Sequence, residues 1–220
     1  MPESFLFPVG ASRVVPLPTP HAVPAAEAPP GGAPPAAGSV AASSDAIPGF
    51  TVPHQEQDNW CWAAVSVGVD SCYGGGNWTQ CRLAGAELGL GCCSTPFPNG
   101  CDAPFYLDRS LTGVGRFDRY VHGSAVYSTV QTEIGARRPL CCRIQWSVGG
   151  HFVAISDWSI DAKGTEYVGV QDPDNGYNFQ TLSEFTNSYR SAGNWSDTYF
   201  TRRTPAAGIG AGAPELTPIS

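Results

Sequence analysis

The stretch QEQDNWCWAAVSVGVDSC, residues 55–72, decides the fold of this chain. Its first part is polar and turn-prone up to Asn59, and an apolar run with alanines and valines begins at Cys61 and continues to Cys72. A tyrosine and three glycines follow this run and end it. The pattern predicts a helix over 61–72, with Cys61 in its first turn.

A cysteine at the start of a helix has a particular chemistry. The N–H groups of the first turn have no partner inside the helix, and the positive end of the helix dipole lies there. Both favour the thiolate, which is the nucleophilic form of the side chain. Gln55 and Gln57, six and four residues before Cys61, are candidates to bind a developing oxyanion. The alternative is that Cys61 is a buried small apolar residue or half of a disulfide.

The middle of the chain divides into a helical part and a strand-like part. Further helices are predicted at 79–90, 103–111 and 128–136, with Thr79 and Ser128 as N-terminal caps. β-Branched and aromatic residues then predict four strands and one more helix. The strands are 140–146, 151–158, 166–172 and 196–202, and the helix is 182–189. Helices first and antiparallel strands afterwards give an α+β fold.

The candidate general base is His151, which begins the strand 151–158 directly after two glycines. A cysteine at a helix start and a histidine at a strand start, about 90 residues apart, are typical of Cys–His nucleophilic catalysis. The other histidines lie in loops or near the N-terminus: His21, His54 and His122.

The histidine needs a partner that orients its ring. Asp157 lies on the same strand, about 20 Å from His151, and is too far away. If strands 151–158 and 166–172 pair antiparallel, the end of the second strand brings Asp172 beside His151. The turn that follows supplies two further candidates, Asp174 and Asn175.

These residues carry a resemblance to a known family. The chain is similar to the papain-like cysteine peptidases, in the bacterial branch that includes bacteriocin-leader peptidases and plant-pathogen avirulence proteases. The motifs are Gln55 before Cys61, WCWAA at 60–64, GHFV at 150–153 and Asp-Pro at 172–173. The resemblance implies a papain-like α+β fold, with an N-terminal helical half packed on a C-terminal antiparallel sheet half.

The resemblance also implies roles for the matching residues. Cys61 would be the nucleophile, His151 its proton acceptor and donor, and Asp172 the residue that orients His151; papain itself has an asparagine there. Gln55 and the Cys61 N–H would form the oxyanion hole. The implied reaction is hydrolysis of a peptide bond in a polypeptide substrate, without a metal or an organic cofactor.

Two alternatives use the same fold. The first is an enzyme that deamidates or transfers amides with the same residues. The second is a non-catalytic binding module in which Trp60 and Trp62 form a recognition surface. A disulfide between Cys61 and Cys101 would support that module, and in the catalytic interpretation the two tryptophans are substrate-binding candidates.

Seven cysteines remain besides Cys61, so if Cys61 is free at least one more is unpaired or bonded between chains. Five of them lie within 72–101, where disulfides could staple a loop-rich region. A zinc site is the alternative for four of these thiols, although no C-x₂-C pair supports it. Its ligands would be Cys81, Cys92, Cys93 and Cys101. Cys141 and Cys142 are adjacent in a predicted strand and should point to opposite faces.

Composition divides the 220 residues into three parts. Residues 1–49 contain 11 of the 20 prolines and are expected to be a disordered Pro/Ala-rich leader. The domain is expected at 50–203 and a flexible tail at 204–220. The segment Ile47–Phe50 at the first boundary is a candidate site where the enzyme cleaves its own leader.

Charge and hydropathy exclude other classes of protein. Only 14% of residues are charged and the net charge is −7, which disfavours a nucleic-acid binder. No stretch has the length of a membrane-spanning helix. Glu3 stands where a secretory signal has a basic region, so we expect either a cytoplasmic protein or export by a specialised route. The sequence does not indicate the oligomeric state.

Overall fold

The computed structural model describes residues 41–203, which form five helices and seven strands. The helices are α1 (Cys61–Cys72), α2 (Gln80–Leu88), α3 (Leu107–Gly113), α4 (Tyr127–Gly135) and α5 (Leu182–Ser188). The strands are β1 (Ala41–Ala46), β2 (Phe117–His122), β3 (Leu140–Trp146), β4 (Gly149–Asp161), β5 (Glu166–Asp172), β6 (Gly176–Thr181) and β7 (Asn194–Thr201). None of these helices is long and apolar enough to cross a bilayer.

All seven strands belong to one antiparallel sheet with the order β2-β7-β3-β4-β5-β6. The long strand β4 pairs with β3 along its first half and with β1 along its last five residues. Three helices precede most of the sheet in the chain, which confirms the expected α+β class. The strand β2 between α3 and α4 was not expected.

The helix α1 has the predicted bounds and lies in the core, because nine of its twelve residues are buried. A helix that is apolar on most of its faces must be covered on most of them. One cover is the segment before Gln55: a Cβ at Gly68 would lie 3.0 Å from the Thr51 carbonyl oxygen. Gly68 therefore allows the backbone of this segment to pack directly against α1.

Two helix starts differ in how they are capped. The Thr79 side chain accepts a hydrogen bond from the Arg82 N–H at 3.3 Å and caps α2, as expected. The expected cap of α4 was wrong, because the helix begins at Tyr127 and Val126 precedes it without a side-chain bond. Burial of one face, with Tyr127, Val130 and Ile134, stabilises α4 without a cap.

Residues 41–50 differ from the expected leader. Ala41–Ala46 form β1, the Ile47 N–H donates to the Ser156 carbonyl, and Ile47 and Phe50 are both buried. The two buried side chains flank a turn at Gly49, whose φ is +69°. The expectation that Ile47–Phe50 is an accessible stretch for cleavage was therefore wrong. The rest of the expected leader and the whole of the expected tail lie outside the described residues.

Candidate active site

Cys61 is a free thiol at the first position of α1, and it is 9% exposed. No side chain caps this end of the helix. The first-turn N–H groups, including that of Cys61, are thus not used by a capping side chain. A free Cys61 and a Cys92–Cys101 disulfide contradict the suggested bond between Cys61 and Cys101.

His151 lies near the start of β4, with its side chain 18% exposed, and interacts with residues on two sides. Its Nε2 is 2.8 Å from Oδ1 of Asp172, and the Cys61 thiol lies close enough to its ring to raise the pKa of His151. Since Asp172 occupies Nε2, Nδ1 is the nitrogen left for Cys61. The structure brings Cys61, His151 and Asp172 together in that order.

The charges of the pair reinforce each other. Burial lowers the pKa of His151, but the charge and the hydrogen bond of the Asp172 carboxylate, together with the nearby Cys61 thiol, outweigh it and raise the pKa to about 10. Burial likewise raises the pKa of Asp172, but the charge of His151 and the hydrogen bonds donated to the carboxylate lower it to about 2. At neutral pH the pair therefore consists of an imidazolium and a carboxylate.

Asp172 is 1% exposed and several donors surround its carboxylate. Oδ1 accepts the Asp174 and Asn175 N–H groups at 2.9 and 3.2 Å. Oδ2 accepts the Tyr189 hydroxyl at 2.7 Å and the Asn175 amide at 3.3 Å. Of the two alternative partners from the sequence, Asp174 is exposed and Asn175 bonds to Asp172, so Asp172 is the one that contacts the histidine.

The Gln55 side chain is engaged with its own turn. Its Nε2 donates to the Gln57 carbonyl at 3.1 Å and to the Asp58 carbonyl at 2.8 Å, while its Oε1 is buried without a partner. The opposite orientation of the amide would place its oxygen against two carbonyl oxygens, so the network assigns the nitrogen. Both Gln55 amide hydrogens are therefore used in this structure.

Backbone contacts hold the Gln55 segment against both halves of the domain. The Gln55 N–H donates to the Pro173 carbonyl at 2.8 Å, which ties it to the turn after Asp172. The buried Gln80 amide donates to the His54 carbonyl at 2.7 Å and accepts the Glu56 N–H at 3.0 Å. Sequence reasoning missed Gln80, because a single glutamine in an ordinary helix carries no signal of a contact with residues 54–56.

A loop stapled by disulfides holds the start of α1. The disulfides are Cys81–Cys93 and Cys92–Cys101, so these four cysteines are not free thiolates for zinc and that alternative was wrong. The Asp102 carboxylate accepts the Asn59 N–H at 2.9 Å. The two disulfides therefore fix the loop that contains Asp102. This loop in turn sets the position of Asn59, two residues before Cys61.

Trp60 and Trp62 belong to the same arrangement. Their indole N–H groups donate to the Cys101 and Ala103 carbonyls at 2.7 and 3.0 Å. Their rings are 1% and 0% exposed, so they do not form a recognition surface, and the assignment of both to substrate binding is not supported. They position the helix that carries Cys61.

The remaining cysteines lie away from these contacts. Cys72, Cys141 and Cys142 are free, and Cys141 and Cys142 are completely buried. Cys142 Sγ lies 3.7 Å from the Leu140 carbonyl oxygen. Burial raises the pKa of Cys141 and Cys142 well above that of an ordinary thiol, so both are inert in the folded protein.

Comparison with known proteins supports one family. A family model described as papain-like cysteine protease AvrRpt2 matches residues 47–190, more than half of the chain. The matched segment includes Gln55, Cys61, His151 and Asp172. Comparison with curated proteins finds no match.

Proposed function

Because the chain belongs to the family of the papain-like cysteine protease AvrRpt2, we propose that it hydrolyses peptide bonds through a triad of Cys61, His151 and Asp172. Membership makes the chain a cysteine peptidase with a papain-like fold, and hence a hydrolase that acts on polypeptides. The observation that carries the triad is the 2.8 Å bond between His151 and Asp172, with the free Cys61 thiol near enough to the same ring to shift its pKa.

The first chemical step forms an acyl-enzyme. The Cys61 sulfur attacks the carbonyl carbon of the scissile amide, and the electron pair of the C=O bond moves to oxygen. When the tetrahedral intermediate collapses, the C–N bond breaks, and the proton on His151 Nδ1 passes to the leaving nitrogen. The products are an amine and a thioester on Cys61.

Water completes the cycle. His151, now neutral, takes a proton from water, and the hydroxide attacks the thioester carbonyl. The thioester C–S bond breaks, the carboxylic acid product leaves, and the proton on His151 restores the starting pair with the Cys61 sulfur. Asp172 keeps the ring in one orientation in both halves and stabilises the imidazolium.

The proposed oxyanion hole has two hydrogen-bond donors, one that is not bound by a capping side chain and one that is already hydrogen-bonded to its own turn. The Cys61 N–H lies at the uncapped start of α1 and is aimed along the helix axis. Gln55 is the second donor in this proposal, and it must release its bond to the Gln57 or Asp58 carbonyl when the oxyanion forms. The bond to Gln57, at 3.1 Å, is the longer and the weaker of the two.

If the enzyme cleaves its own leader, the cleavage site lies outside residues 41–50. The strand pairing of β1 and the burial of Ile47 and Phe50 prevent that segment from lying extended in a cleft. A scissile bond in the chain's own leader would therefore precede Ala41. Intact mass over time distinguishes the cases: self-processing fails if the leader of the wild type persists as long as that of Cys61→Ala.

The experiment that tests the function is digestion of a peptide library by the full chain, read by mass spectrometry. We expect cleavage by the wild type, none by Cys61→Ala, and wild-type cleavage by Cys72→Ala, which removes a half-buried thiol on the same helix. Equal cleavage by Cys61→Ala would refute the proposal. Glutamine side chains converted to glutamate without any shortened peptide would identify a deamidase instead.

A further inference from the structure

Besides the three residues of the proposed triad, a cluster of side chains around Tyr189 contacts Asp172. Tyr189 lies directly after α5, and its side chain is fully buried. Its hydroxyl is 2.7 Å from Asp172 Oδ2, on the carboxylate oxygen that His151 does not use. His151 and Tyr189 thus bind different oxygens of the same carboxylate, and Arg190 Nη1 lies 3.8 Å from Oδ2 as well.

The direction of the Tyr189 hydrogen bond is set by a second contact. Asn178 on β6 places its Nδ2 3.1 Å from the Tyr189 oxygen, and an amide nitrogen can only donate. The hydroxyl oxygen accepts that bond, so its own proton points to Asp172. Burial and the charge of Asp172 raise the pKa of Tyr189 well above its usual value, so the hydroxyl keeps this proton.

The backbone after α5 is built around this position. Tyr189 and Gly193 exchange two backbone hydrogen bonds, each 2.8 Å, and close a turn in which Arg190 and Ser191 have positive φ values of 48° and 81°. Such φ values are uncommon for residues other than glycine and persist only where the surrounding structure holds them. The turn therefore holds the backbone of Tyr189 in one position.

Close packing explains the glycine that ends this turn, Gly193. A Cβ at Gly193 would lie 2.5 Å from Ile144 and 2.7 Å from Trp146, so no larger residue fits without displacing β3. The Tyr189 ring also contacts Phe185 and Trp146, with centroid distances of 5.4 and 6.3 Å. The ring has packed neighbours on α5 and β3, and only its hydroxyl reaches polar groups.

We propose that Tyr189, oriented by Asn178, is a positioning residue for peptide hydrolysis. It holds the Asp172 carboxylate so that Oδ1 faces His151 Nε2. Tyr189 acts through Asp172 and touches neither the substrate nor the reacting atoms. The inference rests on the proposed function, since it needs Asp172 to orient His151.

The test is Tyr189→Phe in the full chain, which keeps the ring and removes the hydroxyl. We expect kcat to fall about ten- to a hundredfold, the range for one hydrogen bond to a charged group, while KM stays the same. Loss of a donor also raises the pKa of Asp172, so the acid limb of the pH profile should move to higher pH. A purely structural role would not move that limb.

The control is Tyr127→Phe. The Tyr127 hydroxyl is also buried and donates to a carbonyl, that of Ser159, at 2.7 Å, but it lies far along β4 from His151. We expect this variant to lose stability and to keep its kcat and pH profile. The inference is wrong if Tyr189→Phe behaves like Tyr127→Phe.

A double-mutant cycle separates this inference from the triad. If Tyr189 acts through Asp172, adding Tyr189→Phe to Asp172→Asn causes no further fall in kcat, whereas independent roles give multiplied losses.

Asn178→Asp should resemble Tyr189→Phe. A carboxylate at position 178 accepts the hydrogen bond of the Tyr189 hydroxyl, which then no longer donates to Asp172. If Asp172→Ala keeps wild-type kcat, the triad itself fails. If Asp172→Ala is inactive and Tyr189→Phe is unaffected, only the role of Tyr189 fails.

Discussion

Nε2 of His151 lies 2.8 Å from Oδ1 of Asp172, and the two residues come from neighbouring antiparallel strands. The pairing of β4 and β5 runs to Ala154 and Gln171, so the end of β5 lies beside the start of β4. The register of the sheet therefore brings the two side chains into contact, and the contact does not depend on a surface loop. Both side chains are largely shielded from water, which strengthens their electrostatic interaction.

The first prediction concerns pH and stability. The pKa of His151 is raised from 6.5 to about 10, so its contribution to stability is complete below pH 6.5 and is lost as the pH rises through 10. The pKa of Asp172 is lowered from 3.8 to about 2, so its contribution is present above pH 3.8 and is lost as the pH falls through 2.

We therefore expect the Tm difference between the wild type and Asp172→Ala to be largest between about pH 4 and 6.5. It should shrink on both sides of that window. Thermal unfolding across a pH series measures it. A Tm difference that does not change with pH would contradict the charged pair.

The second prediction concerns Asp172 itself. Asp172→Ala removes the orienting carboxylate and leaves His151 free to rotate, so we expect kcat to fall about 10²- to 10⁴-fold, as for the equivalent residue of serine triads. Steady-state hydrolysis of a cleaved library peptide measures this. Asp174→Ala is the matched control, because Asp174 is exposed in the same turn and contacts Asp172 only through its backbone N–H.

Activity of Asp172→Ala within a fewfold of the Asp174→Ala control would show that the histidine works without its partner. The folded state of each variant is checked by near-UV circular dichroism, so that loss of the buried carboxylate is not confused with loss of structure.

The third prediction concerns the two glutamines before Cys61. If Gln55 joins the oxyanion hole, Gln55→Ala lowers kcat about 10²- to 10³-fold. Gln57→Ala leaves its backbone carbonyl in place and should keep most of the activity. Equal effects of the two substitutions would show that Gln55 only stabilises the turn.

The fourth prediction concerns the stapled loop. The Cys92–Cys101 disulfide closes a short loop, and removing it should lower the free energy of unfolding by about 2–3 kcal/mol. Urea unfolding of the double variant Cys92→Ala/Cys101→Ala measures the loss. Because the Cys101 carbonyl binds the Trp60 indole, kcat should fall as well. Wild-type kcat in a destabilised double variant would show that the loop does not position α1.

The fifth prediction concerns the buried indole N–H of Trp62. Trp62→Phe removes the hydrogen bond to Ala103 and leaves that carbonyl unpaired, so the free energy of unfolding should fall by about 1–3 kcal/mol. Trp78→Phe serves as control, because Trp78 is only partly buried and stacks beneath Arg82. Similar stability of the two variants would argue against a structural role for the indole N–H.

The sequence predicts the elements that carry strong local patterns. Helix α1 and strands β3 and β5 have the predicted bounds, because each is an apolar run ended by polar or turn residues. Strand β1, AASSDA, has little intrinsic preference for a strand and exists through its pairing with β4. Strand β2 has a mostly exposed surface, which gives no alternation to detect.

The site was predictable only where chain order implies proximity. Antiparallel pairing of two neighbouring strands was enough to bring Asp172 to His151. The contacts of Tyr189, Gln80 and Asp102 join residues from separate elements whose mutual placement depends on the packed domain. No local pattern encodes such placement, so sequence reasoning could not find these three.

Strand β4 also determines where a fusion partner can be attached. Ala41 pairs with Asp161 at one end of this strand, and His151 lies ten residues away, about 30 Å along it. A fluorescent protein or affinity handle that replaces residues 1–40 therefore begins at the far end of the sheet from His151. Such a handle on a short linker stays away from Cys61 and His151, which makes this end a suitable attachment point for immobilising the enzyme on a surface.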